Sequence, residues 1–188
     1  MKRSALFAGL LLAALSLPAL AAQPRVTDPD LPRALPAQGP VSVSWTDPAQ
    51  FTDIRNSPNR WEAERGTWVV DLAGYLRQSA AKVLPPGQTL DVRITDIHRA
   101  GEYEPWHGPS ADHIRILKDL YPPRLSFDYT VHDAHGQVLD QGQAKLVDMG
   151  YLMGTRPLDT DPLRYEKRMI DQWTRRELVR GQRADGAR

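Results

Sequence analysis

Between Asp96 and His113 the chain gathers the side chains best suited to chemistry: Asp96, His98, Glu102, Glu104, His107, Asp112 and His113. Imidazole and carboxylate together suit zinc or copper, so His98, His107 and His113 are the candidate ligands of a metal-binding reading. Their spacing matches no compact ligand motif such as H-E-x-x-H. The competing expectation is a solvated polar loop, with His113 in the first turn of a helix. Glu102 and Glu104 are two residues apart and point the same way on an extended chain. Carboxylates held about 5 to 10 Å apart run glycoside hydrolysis, which gives a second chemical reading: a hydrolase using the same 96–113 loop.

The segment Ala100-Gly101-Glu102-Tyr103-Glu104-Pro105-Trp106 also reads as a recognition surface, since aromatics and carboxylates share one loop and Gly101 lets the backbone turn sharply. Glu102, Tyr103, Glu104 and Trp106 are then the partner-binding residues, with Arg124 at the end of the rigid Tyr121-Pro122-Pro123-Arg124 stretch. The plainer alternative pairs one glutamate with Arg115 or Arg124 and folds Trp106 over a sheet edge. There is no G-x-S-x-G elbow, P-loop or G-x-G-x-x-G, and no cofactor is expected.

The elements that must hold this loop follow from periodicity. Val41 to Trp45 alternates as a half-buried strand. Asp47-Pro48 opens a short turn, and Asn56 to Arg60 is a polar loop. Val69, Leu72, Ala73, Leu76, Ala80 and Val83 form one apolar stripe, predicting a helix over Thr67 to Leu84 that Pro85-Pro86-Gly87 stops. Leu90, Val92 and Ile94 alternate as a second strand, and a loop is expected from Asp96 to Pro109. Ser110 caps a predicted helix carrying Ile114 and Leu117. Leu125 to Val131 and Val138 to Val147 are the third and fourth strands, and Gly142 marks a bulge or a close approach. Gly154 to Thr160 reads as a loop, and Asp161-Pro162 opens a last helix with Tyr165, Met169 and Trp173 on its core face. The fold class is therefore α+β: a single domain with a mainly antiparallel four-stranded sheet and three helices on one face, in the order β-α-β-α-β-β-α. The first β-α-β unit leaves room for one parallel pair.

The ends carry an address. Lys2 and Arg3 precede an apolar run from Ala5 to Leu17, and Ala19-Leu20-Ala21 has the form that signal peptidase accepts. Residues 1–21 are expected to be a signal peptide cleaved after Ala21, with no transmembrane segment left afterwards, because the run is shorter than the ~20 residues a spanning helix needs. The absence of cysteine excludes disulfides, thiolate metal sites, a cysteine nucleophile and a lipoprotein anchor. Residues 22–40, with five prolines from Pro24 to Pro40, read as an extended linker; residues 41–180 as the domain; residues 181–188 as a polar tail. Lysine and arginine total 24 against 23 acidic residues, and this balance gives no field for a polyanion, so nucleic acid is not an expected partner.

A resemblance rests on motifs in order: Asp47-Pro48-Ala49-Gln50-Phe51-Thr52-Asp53-Ile54-Arg55, Leu84-Pro85-Pro86-Gly87-Gln88-Thr89-Leu90, Thr95-Asp96-Ile97, Ala100-Gly101-Glu102, Tyr121-Pro122-Pro123-Arg124, Arg164-Tyr165-Glu166-Lys167 and Asp171-Gln172-Trp173. Over Val41 to Leu178 the chain resembles the secreted bacterial family catalogued as domain of unknown function 3016. The resemblance implies an exported, single-domain protein and carries over no catalytic or binding residue. The expectation from sequence is a periplasmic or secreted, non-enzymatic binding or accessory module. It would recognise an envelope protein or peptidoglycan through the 100–109 loop, with the oligomeric state left open.

Overall fold

The computed structural model describes residues 23–153 and 159–178. The expected signal peptide, its cleavage point and the polar tail lie outside these residues, as does most of the loop expected at Gly154 to Thr160.

Val41–Trp45 forms β1, with Val41, Val43 and Trp45 turned inward as their alternation requires. A short 3-10 turn over Pro48–Gln50 follows, and Asp47 caps it by accepting the Ala49 N–H at 3.1 Å. Two short helices come next, α1 (Thr52–Arg55) and α2 (Arg60–Glu64). The apolar stripe becomes α3 (Trp68–Ala81), which buries Val69, Leu72, Ala73, Leu76 and Ala80. It stops a turn short of Leu84; Val83 and Leu84 are held by the Ala80 carbonyl instead.

The second strand, β2 (Thr89–His98), is longer than its alternation suggests. Leu90, Val92 and Ile94 face the core, then the register slips between Ile94 and Asp96. That bulge turns Ile97 inward and sends Asp96 to the Thr52 N–H (2.6 Å) and hydroxyl (2.7 Å). Asp96, Ile97 and His98 are therefore strand, not the start of a loop.

The helix expected after Ser110 is absent. A two-stranded ribbon, β3 (Glu102–Tyr103) with β4 (Arg115–Ile116), stands there, along with a 3-10 turn at Pro105–His107. Its cause is tertiary: Ile116 pairs with Glu102, and Arg115 is drawn to a carboxylate far back in the chain. Then come β5 (Arg124–His132), β6 (Val138–Val147) and α4 (Arg164–Trp173), the last continuing as a π-helical turn over Thr174–Leu178. Asp161 does not cap α4; its carboxylate accepts the Leu163 N–H (2.8 Å) and meets Lys167 (2.5 Å).

The main sheet has the order β1-β2-β5-β6. It is mixed: β1 runs parallel to β2, whereas β2–β5 and β5–β6 are antiparallel. The domain is α+β with four helices among the described residues, in place of the expected three; α1 and α2 are additional, and the helix after Ser110 is replaced by the ribbon. The core lies between the inner face of the sheet (Leu90, Val92, Ile94, Leu125, Phe127) and α3 with α4. Trp173 closes it, edge-on to Phe127 at 4.7 Å and to Tyr129 at 5.5 Å between ring centroids. Gly142 is a close approach: a Cβ there would sit 3.2 Å from the Tyr129 hydroxyl.

The proline-rich segment is fastened along the domain. The Val26 N–H donates to the Glu64 carbonyl, Leu35 N–H to Val43, and Trp45 N–H to Arg33, each at 2.9 Å, and Val26 is part of the core.

Candidate functional site

The 99–121 segment hangs on two buried carboxylates. The first is Asp53 of α1, which is 1% exposed. Its Oδ1 accepts the Arg99 backbone N–H (2.7 Å) and the Arg115 Nη2 (2.5 Å). Its Oδ2 accepts Arg99 Nε (3.0 Å) and Nη2 (2.7 Å), and Arg115 Nη1 (3.3 Å). Each guanidinium is further fixed. Arg99 lies 4.2 Å over the Trp68 ring and donates to the Ala63 carbonyl; Arg115 lies 5.1 Å from the Tyr103 ring and donates to the Ala100 carbonyl. Burial alone would raise the Asp53 pKa, but the two guanidiniums hold it below the ordinary carboxylate value.

The second carboxylate is Glu104, also 1% exposed. Lys118 Nζ reaches both its oxygens (2.6 and 2.7 Å), the Tyr121 hydroxyl donates to Oε1 (2.7 Å), and His107 Nε2 lies 2.7 Å from Oε2. The Lys118 hydrogen bonds, with those from Tyr121 and His107, pull its pKa down to about 2, and the same carboxylate raises that of the Tyr121 hydroxyl. Glu104 thus stays ionised with both oxygens engaged and no face open to a substrate.

Two further contacts tie the loop to the domain. Gly101, at φ +82°, donates its N–H to the Tyr121 carbonyl at 3.0 Å and closes the base of the loop. A Cβ at that position would meet the Ile116 carbonyl oxygen at 2.7 Å, so glycine is required twice over. Glu166 of α4 accepts the Ala100 N–H at 2.6 Å, while its Oε2 is buried with no hydrogen-bond partner. Burial pushes the Glu166 pKa up.

The loop's outward side has the opposite character. Trp106 and Leu120 are each 66% exposed, and Ile114 and Leu117 are exposed as well. Glu104 is buried beside these exposed apolar groups, while Lys118, which holds it, remains partly exposed.

The sequence-derived candidates separate accordingly. Trp106 stands at the surface, tilted against His107 and not folded over the sheet. Arg124 is exposed at the start of β5, opposite Val147. Tyr103 and Glu104 are buried and act as scaffold; Glu102 is half-buried, accepts its neighbour's N–H at 3.0 Å, and has its pKa raised by burial. Neither arginine pairs as the plainer reading had it: Arg115 holds Asp53, and Glu104 takes Lys118.

The three histidines are not gathered into one centre. His98 ends β2 with Nδ1 buried and unpartnered, and burial lowers its pKa. His107 serves Glu104, and His113 lies 3.5 Å from Asp112. Among the described residues no group of three His, Asp or Glu side chains is placed to hold a metal ion. Nor, among them, is any helix long and apolar enough to cross a membrane. Sequence reasoning missed Asp53, Arg99, Lys118 and Tyr121; the available signal was the set of cations, Arg99, Arg115 and Lys118, that brackets the acidic Glu102 and Glu104.

No curated protein matches the chain. No solved structure matches it either. Residues 39–176 match the family described as Protein of unknown function (DUF3016), a span that takes in β1 through most of α4's final turn and every residue of the loop scaffold. The chain belongs to that family.

Proposed function

We propose that this protein is a periplasmic, non-enzymatic accessory module that recognises an envelope protein with the outward face of its 105–120 loop. The observation that carries the reading is the exposure of Trp106, Ile114, Leu117 and Leu120 on a loop whose Glu104 is buried and held by Lys118. A rigid loop tipped with tryptophan and leucine loses little conformational freedom on docking, and such residues commonly anchor protein interfaces. The signal-like N-terminal run supports the location. An apolar rim suits a protein surface better than a peptidoglycan strand, whose recognition would call on polar planar groups.

The test is photo-crosslinking in intact cells with a photoreactive residue in place of Trp106. One enriched envelope protein, lost when Leu120 is changed to Asp, is the expected result. With that partner purified, Trp106→Ala should weaken binding by about thirtyfold, the effect of losing roughly 2 kcal/mol at an aromatic anchor. Stability should stay within about 0.5 kcal/mol, as for an exposed site. Crosslinks to glycan alone, or none above background, would overturn the reading.

A further inference from the structure

The two edges of the main sheet are treated differently. The outer edge of β1 is taken up by the N-terminal segment, where Ala34 lies opposite Ser44 and the flanking amides of Leu35 and Trp45 are bonded across. The strand β6 has β5 on one side and, among the described residues, no strand on the other. An edge of that kind presents a row of unpaired N–H and C=O groups. It is ten residues long, and its exposed apolar side chains fall at its two ends: Val138 and Leu139 at one, Val147 and then Met149 at the other. The middle is Gln141-Gly142-Gln143. The β5–β6 register slips between Val131 and His132, so Leu139 has no opposite residue on β5.

We propose that β6 pairs antiparallel with β6 of a second copy of this chain, turning on Gln143, to join the two four-stranded sheets into one continuous sheet. Opposed residues of an antiparallel pair share a face, so a two-fold pairing must turn on a residue and not between two residues. Turning on Gln143 sets Gln141 against Lys145 and Asp140 against Leu146, with no like charges opposed, and brings Leu139, at the register slip, level with Val147 at both ends. Turning on Gly142 would instead set Lys145 against Leu139 and carry Val147 past the partner strand. A lysine on an edge usually deters pairing; in the Gln143 register it meets an amide that can accept from it. The second copy is the occupant because the strand is complementary to itself in a register that uses both of its apolar ends.

Edge pairing buries little area, so the dimer should be of the weak class, with Kd on the order of 10 µM. Sedimentation velocity of the full chain over a concentration series should show a monomer–dimer equilibrium. The L139K/V147K variant opposes lysine to lysine at both ends and should raise Kd at least about tenfold, with its melting temperature unchanged because both sites are exposed. The L139E/V147E variant should behave alike, and mixing the two should restore the dimer as a heterodimer. Wild-type protein that stays monomeric to about 1 mM overturns the proposal. A dimer that survives L139K/V147K, or a mixture that fails to associate, overturns this strand and register.

Discussion

Replacing Asp53 by asparagine keeps the shape of the side chain and removes its charge. The carboxylate is 1% exposed and accepts five hydrogen-bonding contacts from Arg99 and Arg115. An amide can accept at one oxygen only, and it would turn an N–H toward a guanidinium. Arg99 and Arg115, whose side chains are 14% and 16% exposed, would be left without a counter-charge. Breaking a buried ion pair from one side costs about 3–5 kcal/mol. Because the guanidiniums keep some contact with water, the lower end applies, about 3 kcal/mol. At roughly 2–4 °C per kcal/mol for a chain of this size, the melting temperature should fall by about 6–12 °C.

The pH dependence gives a second, independent reading of the same substitution. The folded-state pKa of Asp53 lies below its ordinary value. Its contribution is therefore complete above the unfolded pKa of about 3.9 and is lost as pH falls through the lower folded value. Urea unfolding followed by circular dichroism should show a constant gap between wild type and Asp53→Asn from about pH 5 to 8, narrowing in stronger acid. A loss below about 1 kcal/mol at pH 7, the scale of a surface pair, or a gap that persists undiminished in acid, would refute the argument that Asp53 anchors the loop through its charge.

Gly101→Ala places a Cβ 2.7 Å from the Ile116 carbonyl at a φ of +82°, so it should destabilise by more than about 1 kcal/mol. An unchanged urea midpoint would mean that the base of the ribbon does not close as described. Glu166→Gln tests a buried acid: burial raises the Glu166 pKa, so the fold favours the neutral form and loses stability as pH rises through the folded value. Glutamine stays neutral, so the variant's stability relative to wild type should climb with pH; a flat difference would show that the site accepts the charge.

What the sequence reveals depends on whether its pattern is local. The alternation of β5 and the stripe of α3 state directly which side chains meet the core, and Tyr165, Met169 and Trp173 lie buried on α4 as their spacing implies. The stretch Ser110 to Leu117 misleads by the same rule, because Ile114 and Leu117 sit at helical spacing yet both face solvent. Their conformation is decided by Arg115, whose partner Asp53 lies 62 residues back. Glu104 is obscured for the related reason that a loop carboxylate reads as solvated until Lys118 and Tyr121, 14 and 17 residues on, fold over it. The linker composition of residues 23–40 likewise gives no sign that Val26 enters the core, since one valine among prolines carries no period.

The features that sequence patterning misses are those in which the loop runs against the usual partition. Domains gain stability by burying apolar groups and leaving carboxylates in water. From Arg99 to Tyr121 this chain buries Glu104 and clamps Asp53 beneath two arginines, while Trp106 and Leu120 stand out in solvent. Burying a paired charge yields little net stability by itself, and an exposed tryptophan yields none. The Asp53 clamp joins the ribbon to α1, and the contact proposed above would use the apolar side chains that the loop leaves exposed. A contact that requires Trp106, Ile114, Leu117 and Leu120 in fixed relative positions would account for both the buried charges and the exposed rim.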